Sequence, residues 1–252
     1  MLIFCPQGIS PEREGFENVF PCVAIVGELV GTEFRGADGS FEELDRGTEF
    51  YAPQVMARSA SSDPGAPTLL FGWAGNAGED DQPSIETRGW VHCFTAPRAL
   101  TLRGGRVIAR PYLPGRPIAP ATLEGTPTDE AGTRVVELEG SRSWRLAFDA
   151  SYEGALSVRI GSDSGLSITL EEGRRTVDLT GTRYPHGGRR IVTLDAGEAS
   201  RVEILHDRSI TEIYLGDGSR VFTTRSFLRG EGTGVTLSGA ASVTNVSAVR
   251  AD

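Results

Sequence analysis

The chain has 252 residues, enough for one large all-β domain or two smaller ones with a buried core. Its 32 Gly and 14 Pro are scattered between short apolar runs, which argues against helices or a low-complexity tail and for many strands joined by turns. A formal net charge of -9, with no Lys among the 25 basic residues, argues against a nucleic-acid or anionic-membrane partner, since either needs a basic footprint.

Residues 1 to about 110 read as strands of uneven spacing with long loops. The apolar runs predict strands at Leu2 to Phe4, Val23 to Val30, Phe50 to Met56, Thr68 to Trp73 and Gly89 to Phe94. A hairpin follows, Ala99 to Leu102 with Arg106 to Ala109, in which Gly104 and Gly105 supply the positive φ of the turn. Between Asn76 and Arg88 an acidic, Pro-containing stretch without periodicity reads as a surface loop.

Residues 111–121, with the Arg110 that precedes them, hold four prolines (RPYLPGRPIAPA) and predict a stiff connection between domains. The expected division is therefore 1–110, a linker over 111–121, and 122–252. Beyond the linker, alternating segments recur at short intervals: Thr133 to Leu138, Trp144 to Ala150, Ala155 to Ile160, Gly165 to Leu170, Thr176 to Leu179 and Arg190 to Leu194. Ser200 to His206, Thr211 to Leu215, Arg220 to Thr224, Val235 to Leu237 and Ser242 to Val249 complete the series. Such short strands with Gly, Asp and Asn turns describe a two-layer antiparallel sandwich. Gly216-Asp217-Gly218 is the clearest hairpin turn in the chain.

Cys5, Cys22 and Cys93 are odd in number and lack Cys-x-x-Cys spacing, so buried free thiols are expected rather than a disulfide framework or a zinc site. His92, His186 and His206 share no ligand spacing, and no metal or other cofactor is expected. No apolar run approaches the roughly 20 residues of a membrane span, and the N-terminus has no basic segment followed by an apolar one.

Four segments carry a resemblance further than pattern does. LIFCPQG (Leu2 to Gly8) is similar to a Leu-Ile-Phe-Ser-Pro-Gln-Gly strand and turn of glycoside hydrolase family 32, the invertases, levanases and sucrose-6-phosphate hydrolases. ELDRGTEFYAPQ (Glu43 to Gln54) resembles its Asp-x-Gly-x-Asp-Phe-Tyr-Ala-Pro-Gln segment. LLFGWAG (Leu69 to Gly75) and the run Gly89 to Pro111 resemble the end of the family's propeller, with Ala99 where the family usually has Glu. Arg201 to Arg225 resembles the C-terminal sandwich hairpin, with Gly216 in place of Asn. The resemblance implies an all-β fold: the last blades of a five-bladed β-propeller, incomplete in this chain, then a C-terminal antiparallel β-sandwich.

It also implies hydrolysis of terminal β-fructofuranosyl residues of sucrose or a fructan. Retaining glycosidases need a carboxylate nucleophile and a carboxylic acid about 5 Å apart. In the family these come from Trp-Met-Asn-Asp-Pro-Asn and Glu-Cys-Pro segments, with an Arg-Asp-Pro segment between them, and none of the three occurs in this sequence. Phe4-Cys5-Pro6 imitates Glu-Cys-Pro, but Leu2 to Gly8 fits the later strand over its whole length, which places the acid upstream of Met1. No catalytic residue is therefore assigned, and the chain alone is expected to be inactive, with an N-terminal propeller fragment as its natural partner. The other reading is a non-catalytic module that binds fructan or supports a partner chain. The cytoplasm is the favoured location, an expectation that a lost N-terminus would empty of weight.

Glu42, Glu43, Asp45 and Glu49 cluster before Phe50, and four acids together invite the two-carboxylate idea, but spacing cannot supply the required distance and a solvated acidic turn is the expectation. The resemblance implies substrate-binding roles for Tyr51, Gln54 and Trp73 at the mouth of the propeller, and for Glu49 either a sugar contact or a turn cap. For Trp73 a propeller core position stands equally open.

Overall fold

The computed structural model describes residues 1–10, 16, 18, 20–36, 39–56, 63, 65–75, 92–115, 118–120, 133–136, 138, 141–151, 154–161, 166–171, 173–180, 188–194, 200–226 and 234–250. Among them the only helical turn is a 3-10 turn at Gly216–Gly218; everything else regular is strand. The fold is all-β. The expected loop at Asn76 to Arg88, the first half of the expected strand at Gly89 to Phe94, and His186 lie outside the described residues. No described helix is long and apolar enough to cross a membrane.

Two compact units result. The first comprises Met1–Leu113 and Gly218–Thr223, the second Pro114–Asp217 and Thr224–Asp252. The return of residues 218–223 to the first unit is invisible in the sequence, where they read as part of one hairpin.

In the first unit, β1 (Leu2–Phe4), β2 (Val23–Ile25), β3 (Glu28–Val30), β4 (Glu33–Arg35) and β5 (Glu42–Glu43) precede β6 (Tyr51–Val55) and β7 (Thr68–Ala74). The strands β8 (Cys93–Phe94), β9 (Arg98–Arg103) and β10 (Arg106–Pro111) follow. They form three short antiparallel sheets in a propeller-like arrangement: β1-β2-β5, the β3-β4 hairpin, and β10-β9-β7-β6 with β8 also on β7. The run Val23 to Val30, expected as one strand, divides because Val23 pairs with Phe4 and Glu43 while Glu28 pairs with Arg35 in another sheet. The β9–β10 hairpin closes as expected, with Arg103 opposite Arg106 and both Gly104 (φ 57) and Gly105 (φ 78) left-handed.

The acidic cluster is not a solvated turn. Glu42 is exposed, but Glu43, Asp45 and Glu49 are buried, the last two almost completely. Asp45 can be buried because its carboxylate is saturated with donors. Oδ1 accepts the N–H of Gly47 and of Thr223, each at 2.8 Å, while Oδ2 accepts the Thr223 hydroxyl at 2.6 Å and pairs with Arg98 at 2.9 Å. Arg98 is itself fully buried, donates to Thr223 Oγ1 at 2.7 Å, and lies over the Phe50 ring at 4.4 Å. Backbone bonds Arg46 N–H to Val221 O and Thr48 N–H to Thr223 O, both 2.8 Å, finish the attachment of the returning segment.

In the second unit, β11 (Ala119–Pro120) falls inside the expected linker and pairs with Ser247 and Ala248, a place an edge strand can give to proline. The remaining strands are β12 (Arg134–Val136), β13 (Ser143–Ala150), β14 (Leu156–Ile160), β15 (Leu166–Glu171), β16 (Arg174–Asp178), β17 (Arg189–Thr193), β18 (Arg201–Asp207), β19 (Ile210–Leu215), β20 (Arg220–Arg225, of which only Thr224 and Arg225 belong to this unit), β21 (Val235–Gly239) and β22 (Val243–Arg250). Two six-stranded sheets form, ordered β11-β22-β13-β18-β19-β20 and β12-β21-β14-β15-β16-β17. Leu156, Val158 and Ile160 on β14, and Leu166, Ile168 and Leu170 on β15, are buried while their neighbours face outward, so this sheet hides one face. In the other sheet Trp144, Leu146 and Phe148 of β13 are buried.

Among the described residues one histidine, His206, lies in that core. His206, opposite Trp144 across β18 and β13 with ring centroids 5.4 Å apart, is 3% exposed. Its Nδ1 lies 2.9 Å from Thr211 Oγ1, which lies 2.7 Å from Ser226 Oγ. Burial pushes the imidazole down to about 4, with Asp207 opposing weakly, so it is neutral near pH 7.

Candidate functional site

The residues that the sequence assigns to substrate binding belong to β6, β7 and the segment leading into them. Antiparallel partners share a face of their sheet, and residues two apart on one strand do so as well. Trp73 and Phe71 therefore point to one side of β7, and Leu70, Gly72 and Ala74 to the other. Leu70, Gly72 and Ala74 are buried, whereas Phe71 and Trp73 keep partial exposure, so the Phe71–Trp73 side is the more open one.

On β6 a regular strand would send Tyr51 and Gln54, three residues apart, to opposite faces. The pairing shifts between them: Tyr51 faces Trp73, and Gln54 faces Phe71. This one-residue bulge turns Gln54 to the same side as Tyr51. Ala52 absorbs the irregularity with φ 46, a left-handed conformation that is costly for a residue bearing a Cβ. Tyr51, Gln54 and Trp73 thus share the open face of one sheet, a consequence of the bulge that residue spacing does not reveal.

The aromatic groups on this face form a chain. Phe20 lies 5.4 Å from Tyr51, Tyr51 6.3 Å from Trp73, and Trp73 4.7 Å from His92 in an edge-on contact at 89°. Gln7 Nε2 donates to the Tyr51 hydroxyl at 3.4 Å. Trp73 is half-buried, and Gln54 is exposed. Phe94 of β8, opposite Trp73, is 74% exposed.

Behind this face the packing is close. A Cβ on Gly72 would stand 2.1 Å from the Phe50 ring, so β7 can lie on Phe50 only with glycine there. Glu49, just ahead of Phe50, is fully buried, and its N–H donates to Thr223 O at 3.1 Å. Among the sequence-assigned residues it alone is withdrawn from solvent. Sequence reading also passed over Gln7, Phe20 and His92; the clue for Gln7 was its place in the Leu2 to Gly8 segment, whereas Phe20 and His92 carry no local signal.

Open aromatic edges beside amide and hydroxyl groups suit a sugar ring, whose C–H face lies on an aromatic surface while its hydroxyls bond polar groups. Among the described residues no group of three or more His, Cys, Asp or Glu could hold a metal ion.

Comparison with known proteins gives consistent matches. The model of the glycosyl hydrolases family 32 N-terminal domain matches residues 1–111, and that of the family 32 C terminal matches residues 125–251. A sucrose-6-phosphate hydrolase of Staphylococcus xylosus is 32% identical over 250 residues, covering 94% of this chain and 49% of that protein. A sucrose-6-phosphate hydrolase of Klebsiella pneumoniae is 33% identical over 233 residues, covering 90% and 45%. Among solved structures, a Bombyx mori GH32 beta-fructofuranosidase superposes with a TM-score of 0.75 at 25% identity, covering 98% of this chain and 51% of its own. The chain spans about half the length of the curated relatives it matches.

Proposed function

Because this chain belongs to glycoside hydrolase family 32, we propose that it forms the C-terminal part of a β-fructofuranosidase-type enzyme acting on sucrose or a fructan, and that Tyr51, Gln54 and Trp73 form one wall of its fructosyl site. The observation that carries the reading is the β6 bulge, which places those three side chains on the open face of a single sheet. The Staphylococcus xylosus and Klebsiella pneumoniae relatives are sucrose-6-phosphate hydrolases, and the Bombyx mori enzyme has been solved as a mutant in complex with sucrose. These support sucrose or its phosphate as the substrate class.

In this reading residues 1–110 are closing blades of a five-bladed propeller, residues 111–121 the connection, and residues 122–252 a sandwich of the two six-stranded sheets. The nucleophile and the acid come from early blades, because the motifs that supply them in the family do not occur in this sequence. Tyr51 and Trp73 hold the fructosyl ring from the opposite side, and Glu49 is a buried support for the turn into β6. A partner bearing the early blades would cover the exposed apolar side chains of the first unit, Leu29, Val55, Met56, Phe94 and Leu102 among them.

The test is to mix this chain with a separately expressed polypeptide carrying the early blades of a relative and to assay fructose release from sucrose. Activity is expected from the mixture and from neither part alone, with Trp73→Ala weakening turnover but not assembly. A stable complex without activity would refute the placement of the Tyr51–Trp73 face at the pocket. Absence of any association would refute the propeller reading of residues 1–110. A second reading, a non-catalytic fructan-binding module, is favoured by the lack of the three motifs; calorimetric binding of levan to this chain alone, abolished by Trp73→Ala, would select it.

A further inference from the structure

Two of the three cysteines, 17 positions apart in sequence, meet in the fold. The last β1–β2 pair is Phe4 opposite Val23, and one step further along the same register sets Cys5 opposite Cys22. Their sulfurs are in hydrogen-bonding contact. Directly opposed residues of antiparallel strands have Cα atoms about 4.5–5.5 Å apart, inside the window of about 4.4–6.8 Å that a disulfide requires. We propose that Cys5 and Cys22 form a reversible disulfide joining β1 to β2, and that its formation loosens the Ala52 bulge that sets Tyr51.

The two thiols differ in the way such an exchange needs. Cys5 is partly exposed, and the hydrogen bond from Cys22, helped by the Ala52 N–H and opposed by burial, lowers its thiol to about 7. An attacking thiol with that value, near ambient pH, combines thiolate population with nucleophilicity. Cys22 is buried, its carbonyl accepts the Leu44 N–H at 2.8 Å, and its thiol is pushed up by the bond it donates to Cys5 and by burial. It stays protonated until called on as the resolving group.

The oxidant is a low-molecular-weight disulfide, RSSR. The Cys5 thiolate attacks one sulfur of RSSR, forming Cys5–S–SR and releasing RS⁻. Cys22 then gives up its proton to solvent and attacks Cys5 Sγ, closing Cys5–S–S–Cys22 and releasing the second RS⁻. Two thiols are oxidised by two electrons and RSSR is reduced to two thiols, so the exchange runs backwards in excess RSH.

The consequence reaches the candidate site through Ala52. Its N–H donates to Cys5 Sγ, and a disulfide sulfur, having no charge, is a far weaker acceptor than a thiolate. The left-handed Ala52 then loses a bond that helps to hold the bulge. The bond itself does not depend on the sugar-binding reading, so its test stands apart from fructose assays.

The experiment equilibrates the full chain in glutathione buffers from reducing to oxidising, alkylates free thiols, digests with trypsin and identifies peptides by mass spectrometry. Cys5, Cys22 and Cys93 fall in separate tryptic peptides, 1–13, 14–35 and 89–98. Oxidised protein should show 1–13 joined to 14–35, lighter than their sum by two hydrogens, with 89–98 still alkylated; excess thiol should restore both free peptides. Cys22→Ala, checked for folding by circular dichroism, should stop at a glutathione adduct on Cys5. Full alkylation of Cys5 and Cys22 under oxidising conditions, or a linkage that involves Cys93, overturns the disulfide. In the oxidised form the Ala52 amide should exchange hydrogen faster, and an unchanged rate overturns its link to the bulge.

Discussion

Replacing Asp45 tests what holds the first unit together. Its carboxylate accepts from Gly47 N–H, Thr223 N–H and Thr223 Oγ1 and pairs with Arg98, and the side chains of both ion partners have no exposed surface. In Asp45→Ala the Arg98 guanidinium keeps its charge in a site from which water is excluded, and breaking one side of a buried pair costs about 3–5 kcal/mol. Asp45→Asn retains an oxygen for the two N–H donors but replaces Oδ2, the acceptor for the Thr223 hydroxyl and Arg98, with an NH2 donor, so a loss of at least about 2 kcal/mol is expected. Because the chain has two units, the assay should report on the first one alone. Cys22, 1% exposed, serves: under reducing conditions, pulsed alkylation across a urea series gives the fraction of molecules in which the first unit has opened. With a urea slope of about 1–3 kcal/mol per M, the Asp45→Ala midpoint should fall by at least about 1 M. A shift equivalent to less than about 1 kcal/mol for the Ala variant would refute the reasoning, since it would mean that Arg98 is solvated or re-paired without Asp45.

The second unit should lose stability on acidification through His206. Its value is about 4 in the fold against an ordinary 6.5, so between those limits the unfolded chain binds a proton that the folded chain does not, and stability falls as pH falls from about 6.5 to 4. The full loss is at most about 3 kcal/mol at 1.36 kcal/mol per unit, and urea midpoints of His206→Gln should lose this part of the pH slope. Gly72→Ala should cost about 1–3 kcal/mol by driving a methyl into the Phe50 ring, read as a lowered thermal midpoint; an unchanged midpoint would mean that β7 shifts freely. Limited proteolysis should cut the first unit before the second. Every large apolar side chain that stands exposed among the described residues belongs to the first unit except Ile191, and equal protection of both units would contradict this. The chain alone should release no fructose from sucrose, levan or inulin, and turnover that disappears with Glu43→Gln or Glu49→Gln would expose a catalytic acid within it.

Much of this protein is legible residue by residue. Period-two alternation marked β14 to β17 because their sheet buries one face, so Leu156, Val158 and Ile160 announce themselves by spacing alone, whereas β19 and β20 are buried at every position and carry no such signal. The Gly104-Gly105 turn was readable because positive φ is a local demand that glycine meets. Four separate segments pointed to the family in its order along the chain, and the matches over residues 1–111 and 125–251 agree.

What the sequence by itself determined is therefore the local chemistry: an all-β chain, its strands, its turns and the family to which its motifs belong. The tertiary structure decided everything that depends on which distant residues become neighbours. Asp45 looked like part of a solvated acidic turn because Arg98 and Thr223, which make its burial tolerable, lie 53 and 178 positions away. Cys5 and Cys22 showed no disulfide spacing because strand register, not sequence interval, brought them face to face. Tyr51, Gln54 and Trp73 became one surface only through a bulge that reverses the parity of β6. Periodicity records which side chains avoid water, and pairing register, set by the sum of packing across whole sheets, settles which of them meet.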